Sequence, residues 1–469
     1  MFASEVDRAL LSAPARLGRA LATIPEGQYF ERKSGRVSPK DLAIALVAMA
    51  NAEGGTIVVG IHAGLVDGVA PERVNALRQA AFDHTRPAVR VAVEERIAQE
   101  EERASTILVM RVEPSGSLHT LTNDTTYLRV GDESRKLTAA QRLELSYDRG
   151  AAAFEGSATQ LTISHLDADQ MGSYAGVLGL ADHRSMLLAR DLLDRRGRVT
   201  VAACLLFDHR PQRDYPHAVV RVLRYGDAAA GVGSGMTLED GADVRFEGSI
   251  PQQIQRAAEH IERLMPKWQQ LGADGLFQAT PRIPRDAWLE ALVNAVVHRS
   301  YSQMGDHVRV EIYPNRLEVT SPGRFPGTVN PNRPLEIDRY ARNPRIARVC
   351  SDLGITRELG EGIRRMFDEM RRRGLADPMY RQTQASVRLT LLASDALPAE
   401  VLELLTPSAK IILDVMRLAS QRLGTGQLAE LAGISRMTAT RALGQLRDLD
   451  LVRRLGQSPN DPRATWELR

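Results

Sequence analysis

Between Pro284 and His298 the apolar residues Trp288, Leu289, Leu292, Val293, Val296 and Val297 surround nearly the whole circumference of a helix, while Glu290, Asn294 and His298 recur every fourth residue along one line of it. Such a helix is largely buried. Its polar stripe must then be met by a partner, by a ligand or by solvent in a cleft, because polar groups buried without partners are costly. A ligand is one candidate; an internally hydrogen-bonded structural cleft is the alternative.

The rest of the chain is organised around several such cores. Its 469 residues exceed what one core serves and suggest about three domains. With 43% hydrophobic and 25% charged residues it is a globular chain, not a disordered or fibrous one. Net charge is only +3, so no global basic field marks a nucleic-acid partner. The excess is local: Pro407 to Arg469 holds ten Lys and Arg against six Asp and Glu, a net +4. Cys204 and Cys350 stand far apart in apolar surroundings, without the spacing of a disulfide framework or a zinc site, which fits a cytoplasmic location. The longest small-apolar run, Leu42 to Ala52, is about half a membrane span, and Glu5 and Asp7 sit where a signal peptide would be basic. No membrane partner is expected.

Along the chain, Gln28 to Lys33 has strand composition, Ser38 and Pro39 open a helix with Leu42, Ala45, Leu46 and Met49 on one face, and Thr56 to Ile61 reads as a strand buried on both faces. Strands at Ser105 to Val112 and Thr126 to Val130 complete a first domain over residues 1–150. A connecting α/β region, 151–270, contains a helix over Met186 to Leu193, a buried strand over Val199 to Phe207, another over Val219 to Tyr225, and a helix from Ile250 to Pro266. Gly231, Gly233 and Gly235 lie in a loop, Asp227 to Gly241, that lacks the lysine of a phosphate loop and reads as a mobile segment. Residues 271–396 form a further module: the striped helix, a hairpin with Val308, Val310 and Ile312 facing Leu317 and Val319 across Pro314-Asn315, and a helix from Glu358 to Arg373.

The striped helix carries a family resemblance. Glu290-Ala291-Leu292-Val293-Asn294-Ala295 resembles the N-box of the GHKL ATPases, and His298-Arg299-Ser300-Tyr301 extends it as in the divergent bacterial relatives called Schlafen-like or RecG-like. Ser321-Pro322-Gly323-Arg324-Phe325-Pro326, Arg342-Asn343-Pro344 and Gly360-Glu361-Gly362-Ile363 are similar to their later boxes, in the same order. The resemblance implies an ATP site in which Glu290 activates water, Asn294 holds Mg²⁺ against the phosphates, and His298, Gly323, Gly360 and Gly362 line the nucleotide. The chain departs from the true enzymes where Ser321 and Pro322 replace the Asp that reads the adenine amino group, which leaves binding and hydrolysis open.

The first domain resembles the AlbA-like domain of Schlafen-related proteins through Phe30-Glu31-Arg32-Lys33, Ala50-Asn51-Ala52-Glu53-Gly54-Gly55-Thr56, Gly60-Ile61 and Tyr127-Leu128-Arg129-Val130-Gly131. That likeness implies nucleic-acid phosphates held by Lys33, Arg129 and Arg135, with Glu31 orienting them. Glu31 and Lys33 as a plain surface ion pair is the bland reading. A metal-dependent nuclease centre of Glu31, Lys33 and Asp67, as in some Schlafen relatives, is the sharper one, although no acidic cluster is visible beside Glu31.

The last part, 405–469, reads as a winged helix-turn-helix. Helices over Ala409 to Leu418 and Thr425 to Leu431 precede a turn at Gly433 and a helix after Ser435 with Ala439, Ala442, Leu443 and Leu446 inward. Arg436, Thr438, Thr440, Arg441 and Gln445 then face outward, as a major groove requires, and strands over Leu449 to Arg454 and Ala464 to Leu468 flank a wing beside Arg453 and Arg454. Such a unit can also serve protein contacts.

The expected fold class is thus α+β multidomain: an AlbA-like α/β domain, a divergent GHKL-like α/β sandwich and a winged helix-turn-helix. The expected function is a homo-oligomeric transcriptional regulator binding double-stranded DNA, with ATP and Mg²⁺ as effectors and at most a weak ATPase activity. A Schlafen-like nuclease or defence ATPase is the alternative, and helicase action is not expected without a G-x-x-x-x-G-K-[ST] loop.

Overall fold

A computed structural model describes residues 5–100, 103–149, 154–271, 276–325, 331, 334–336, 341–356, 361–383, 385–397, 399–419, 422–456, 461 and 464–468. The architecture is mixed α+β with several sheets, and the chain divides into two compact units. One comprises residues 1–154 together with 324–342, the other 155–323 with 343–469.

In the first unit, β1 (Phe30–Lys33) leads through α1 (Pro39–Ala50) to β2 (Gly55–Val59), and α2 (Pro71–His84) precedes a long hairpin of β3 (Val91–Glu100) and β4 (Arg103–Val112). The sheet order is β1-β2-β4-β3, with β1 and β2 parallel and the other pairs antiparallel. Ser38 caps α1 by accepting from the Asp41 amide, and Pro39 occupies the first turn. Both faces of the sheet are covered. Ile57, Val59, Leu108 and Met110 meet Leu42, Leu46, Met49 and Leu77 on one side, while Phe30, Val58, Ile107 and Val109 meet Leu17 and Leu21 on the other. That two-sided burial explains why Thr56 to Ile61 is an unbroken apolar run. A small hairpin, β5 (Tyr127–Val130) and β6 (Glu133–Lys136), completes the unit beside α1.

The second unit is built on a six-stranded sheet of β7 (Val220–Tyr225), β8 (Leu238–Phe246), β11 (Val308–Ile312), β12 (Arg316–Pro322), β13 (Met379–Gln382) and β14 (Ser386–Leu392), in the order β8-β7-β11-β12-β14-β13. Only β7 and β11 pair in parallel. Helix α3 (Ile250–Leu264) packs on β7, and a two-stranded hairpin, β9 (Lys267–Leu271) and β10 (Phe277–Pro281), leads to the striped helix α4 (Arg285–Val297). Helix α4 lies on β11 and β12 and is flanked by α5 (Pro344–Asp352) and α6 (Gly362–Arg372).

Val199 to Phe207, read above as a strand, is instead a helix over Val201–Phe207 that is buried throughout. A short, wholly apolar run has no periodicity to tell the two apart. The deciding signal is Thr200, whose hydroxyl accepts from the Ala203 amide as a cap. Helix α5 went unassigned in the sequence reading because its cap is distant. The buried Glu155 carboxylate accepts from the amides of Arg345 (2.7 Å) and Ile346 (3.0 Å). Burial pushes that carboxyl above its ordinary value, against the opposing pull of these amides.

The C-terminal part of this unit has α7 (Pro407–Leu418), β15 (Leu423–Gly424), α8 (Thr425–Ala432), α9 (Arg436–Asp448), β16 (Val452–Leu455) and β17 (Thr465–Leu468), the strands ordered β15-β17-β16. Its own core gathers Ile412, Leu428, Ala439, Leu443, Leu446, Val452 and Trp466.

Asp414 on α7 is half-buried, and burial lifts its carboxyl to about 6 in spite of Arg417 and Lys410. Its folded-state value lies above the unfolded one, so the stability it contributes is complete below the ordinary carboxylate value and is lost as pH rises through about 6. Asp414→Asn should therefore stabilise this part by on the order of 1–3 kcal/mol near pH 7.5 and by little near pH 4. Calorimetry of the full chain at the two pH values checks this, and an equal gain at both would contradict it.

Candidate functional site

On α4, the expected stripe forms. Asn294 Nδ2 donates to Glu290 Oε1 at 2.9 Å, and His298 continues the line as the half-buried residue that ends the helix. The other oxygen of Glu290 is held by the guanidinium of Arg365 on α6. Gly362, at the start of α6, sits so close that a Cβ there would fall 1.9 Å from Glu290 Oε1. Gly360 lies outside the described residues.

This arrangement does not fit Mg²⁺–ATP as it stands. The carboxylate assigned to activating water is paired with a cation, and the space beside Gly362 holds the Glu290 side chain instead of a phosphate. Ser321, standing where the family has its adenine-reading Asp, donates instead to the Ala295 carbonyl at 2.7 Å. A nucleotide entering here has to displace the Arg365–Glu290 pair.

The neighbouring boxes have structural roles. Ser300 N donates to Pro322 O at 2.9 Å and Gly323 N to Ala385 O at 2.7 Å, with Gly323 at φ +101°, a conformation glycine reaches without cost. Asn343 Nδ2 donates to the carbonyls of Val297 and Arg299, both at 2.8 Å, and so satisfies acceptors exposed at the end of α4.

In the first unit, Glu31 and Lys33 come together at 2.5 Å, and Glu31 also accepts from Arg129 at 2.6 Å. Arg129 is 1% exposed, and its remaining donors reach Gly27 O and Phe30 O. The expectation that Arg129 contacts phosphate is corrected accordingly: it is a buried staple of the loop before β1. Lys33 and Arg135 reach the surface, Arg135 beside Glu133 at 2.8 Å. Asp67 does not join Glu31 in a metal centre. Its carboxylate accepts from Ser34 Oγ (2.5 Å) and Gly35 N (3.2 Å), fixing a turn. Among the described residues no group of three or more His, Cys, Asp or Glu is placed to hold a metal ion.

Two further buried pairs, Glu53 with Arg324 and Asp148 with Arg342, tie the segment 324–342 into this first unit. Gln28 Nε2 adds a bond to Glu53 at 2.6 Å. Burial raises the Asp148 carboxyl, and Arg342 opposes that rise. Sequence reasoning missed these partners because nothing local links residues so far apart. Arg365 was within reach of it, since three residues after Gly362 places it over the same face of α6.

On α9, Arg436, Thr440 and Arg441 are exposed, and Ser435 caps the helix through the Thr438 amide at 3.1 Å. Thr438 is half-buried, its hydroxyl within 2.8 Å of Ser435 Oγ. Gln445 is not a free outward side chain. It accepts from Thr406 N (3.0 Å) and Oγ1 (2.8 Å) and donates to Leu404 O (2.8 Å), which binds α9 to the segment before α7. Its assignment to base reading is corrected on that ground. Arg453 pairs with Glu467 at 2.7 Å, and Arg454 Nη2 donates to Asp461 O at 3.0 Å. Most of the segment expected to form a wing tip, residues 457–460 and 462–463, lies outside the described residues.

Residues 26–138 match the family described as Schlafen, AlbA_2, and residues 305–391 match the one described as putative ATP-dependent DNA helicase recG C-terminal. The chain therefore carries a region similar to Schlafen AlbA_2 domains and a second one similar to the recG C-terminal, ATPase-like module. No curated protein matches it. Among solved structures, the DIP2311 protein from Corynebacterium diphtheriae is similar over 96% of this chain and 95% of that one, at 19% identity and a TM-score of 0.42. No helix among the described residues is long and apolar enough to cross a membrane.

Arg129→Ala leaves buried Glu31 with Lys33 alone and removes the donors to Gly27 O and Phe30 O, and should cost about 3–5 kcal/mol, whereas Lys33→Ala should cost no more than about 1 kcal/mol. Denaturant unfolding of both variants measures the difference, and equal losses would remove the staple role from Arg129. Gly362→Ala should separate Glu290 from Arg365 and lower stability by about 1–3 kcal/mol. An unchanged melting temperature would show that the contact is not close-packed.

Proposed function

We propose that the chain is a DNA-binding transcriptional regulator that contacts duplex DNA through its C-terminal part, read as a winged helix. The observation that carries this reading is the exposed row Arg436, Thr440 and Arg441 on α9, in the element order helix, strand, helix, helix, strand, strand. The local +4 of Pro407 to Arg469 supports it, since phosphate neutralisation supplies much of the affinity for DNA. Arg436 reaches guanine or phosphate at the helix entry, Thr440 and Arg441 extend the contact, and Arg453 and Arg454 flank the wing. Both matched families are consistent with nucleic-acid-associated work, and the exposed Arg135, with half-buried Lys33 beside Glu31, gives the first domain a secondary phosphate contact. Action as a cytoplasmic homodimer on a two-fold operator completes the proposal.

In this reading the ATPase-like module is a regulatory body and not a motor. ATP is its proposed ligand by family likeness, its entry opposed by the Arg365–Glu290 pair that a nucleotide has to displace. Titration of ATP and Mg²⁺ into wild type and Asn294→Ala, with DNA affinity followed in parallel, tests that part.

For the DNA contact, Arg436→Ala combined with Arg441→Ala in the full chain should weaken binding to genomic fragments by at least about tenfold. The slope of log affinity against log salt should shallow by about one for each phosphate contact removed. Unchanged affinity and slope in that variant would end the reading.

A further inference from the structure

We infer that the end of the six-stranded sheet beside the β9–β10 hairpin is a binding site for a small planar aromatic anion. A cleft of about 240 Å³ opens there between Tyr225 at the end of β7, Pro314 in the β11–β12 turn, Trp268 and Lys267 on β9, and Arg282 just after β10. Its volume is below the roughly 300 Å³ at which sites for drug-sized ligands begin, which suits a single ring system with one acidic group.

Three features set the ligand's chemistry. The first is the aromatic wall. Trp268 is 42% exposed although it is a large indole on a strand, and the Arg282 guanidinium lies 4.8 Å from its ring centroid, which leaves the open side of the indole to stack a planar guest. Behind it, Tyr225 and Tyr313 stack at 4.8 Å and 12°, giving the cleft a rigid floor.

The second is charge. Arg224, Lys267 and Arg282 line the cleft against the single carboxylate of Glu239, and Glu239 is already engaged by Arg224 at 3.1 Å. Two cations are left over. Lys267 has no ion-pair partner among the described residues, so its ammonium is available to an acidic group. The third is an unmet donor. Arg282 Nη1 donates to Pro314 O at 3.2 Å, while its Nε is buried without a hydrogen-bond partner, so the protein satisfies this guanidinium only in part.

None of these residues belongs to the Glu290, Asn294 and Arg365 cleft, so the two sites are chemically separate. Binding itself does not depend on the DNA reading. That the guest acts as an effector rests on the proposed function, and this second step is measured apart from the first.

Isothermal titration of the full chain with benzoate and with phenyl phosphate distinguishes a carboxylate guest from a phosphate one. Cyclohexanecarboxylate and inorganic phosphate serve as non-aromatic probes. At least one aromatic probe should bind, with Trp268→Ala and Lys267→Ala each weakening it by about tenfold or more, Trp268→Phe retaining most of the affinity and Asn294→Ala leaving it unchanged. The inference is overturned if neither aromatic probe binds up to about 10 mM, or if the non-aromatic probes bind as well. Equal binding by Trp268→Ala, or loss in Asn294→Ala alone, also overturns it. So does a Trp268→Ala change that only shifts oligomeric mass in light scattering, since the indole is then an assembly contact. Unchanged DNA binding in the α9 variant with probe binding intact would instead count against the regulator reading alone.

Discussion

Buried guanidinium groups hold the irregular parts of this molecule in place. Arg129 bonds Gly27 O and Phe30 O, Arg149 bonds the carbonyls of Asn51 and Ala52, Arg299 bonds those of Gln303 and Asp306, and Arg316 joins Ala228 O to Glu318. Apart from Phe30 O, which also accepts from Gly27 N, these carbonyls belong to loops or helix ends, and a planar fork of donors can satisfy two or three at once. Burial comes at the expense of hydration, which is why the Arg299 guanidinium is driven below its usual range. In the second unit Arg299, just after α4, anchors the loop that follows the Glu290, Asn294 and His298 stripe.

That dependence explains what the sequence could and could not disclose. Periodicity finds α4, β7, the β11–β12 hairpin and α9 because each is defined by neighbours a few residues away. The same local logic fails at Val201–Phe207, where every position is buried and the period vanishes. It fails again at α5, whose N-terminal amides are met by Glu155 from nearly 190 positions upstream. A sequence also counts every arginine as a surface cation. Arg129 and Arg436 look alike on that scale, yet one is sealed against Glu31 and the other is exposed on a helix.

The candidate site shows the same division. The stripe on α4 was legible, as was the absence of an adenine-reading carboxylate at Ser321. The identity of the group that meets Glu290 was not, because Arg365 arrives from a separate helix. Gln445 is the converse case. Its position on α9 marks it as a base reader, but three bonds to Leu404 and Thr406 turn it into a clasp between helices. Helical position alone therefore overcounts the residues available to a duplex.

The first unit is discontinuous in the chain, since it includes 324–342 through the Glu53–Arg324 and Asp148–Arg342 pairs. During vectorial synthesis the N-terminal third thus emerges before the guanidinium partners of Glu53 and Asp148, which lie 271 and 194 residues further on. A cut before Arg324 therefore separates both carboxylates from the guanidinium groups that meet them in the finished fold.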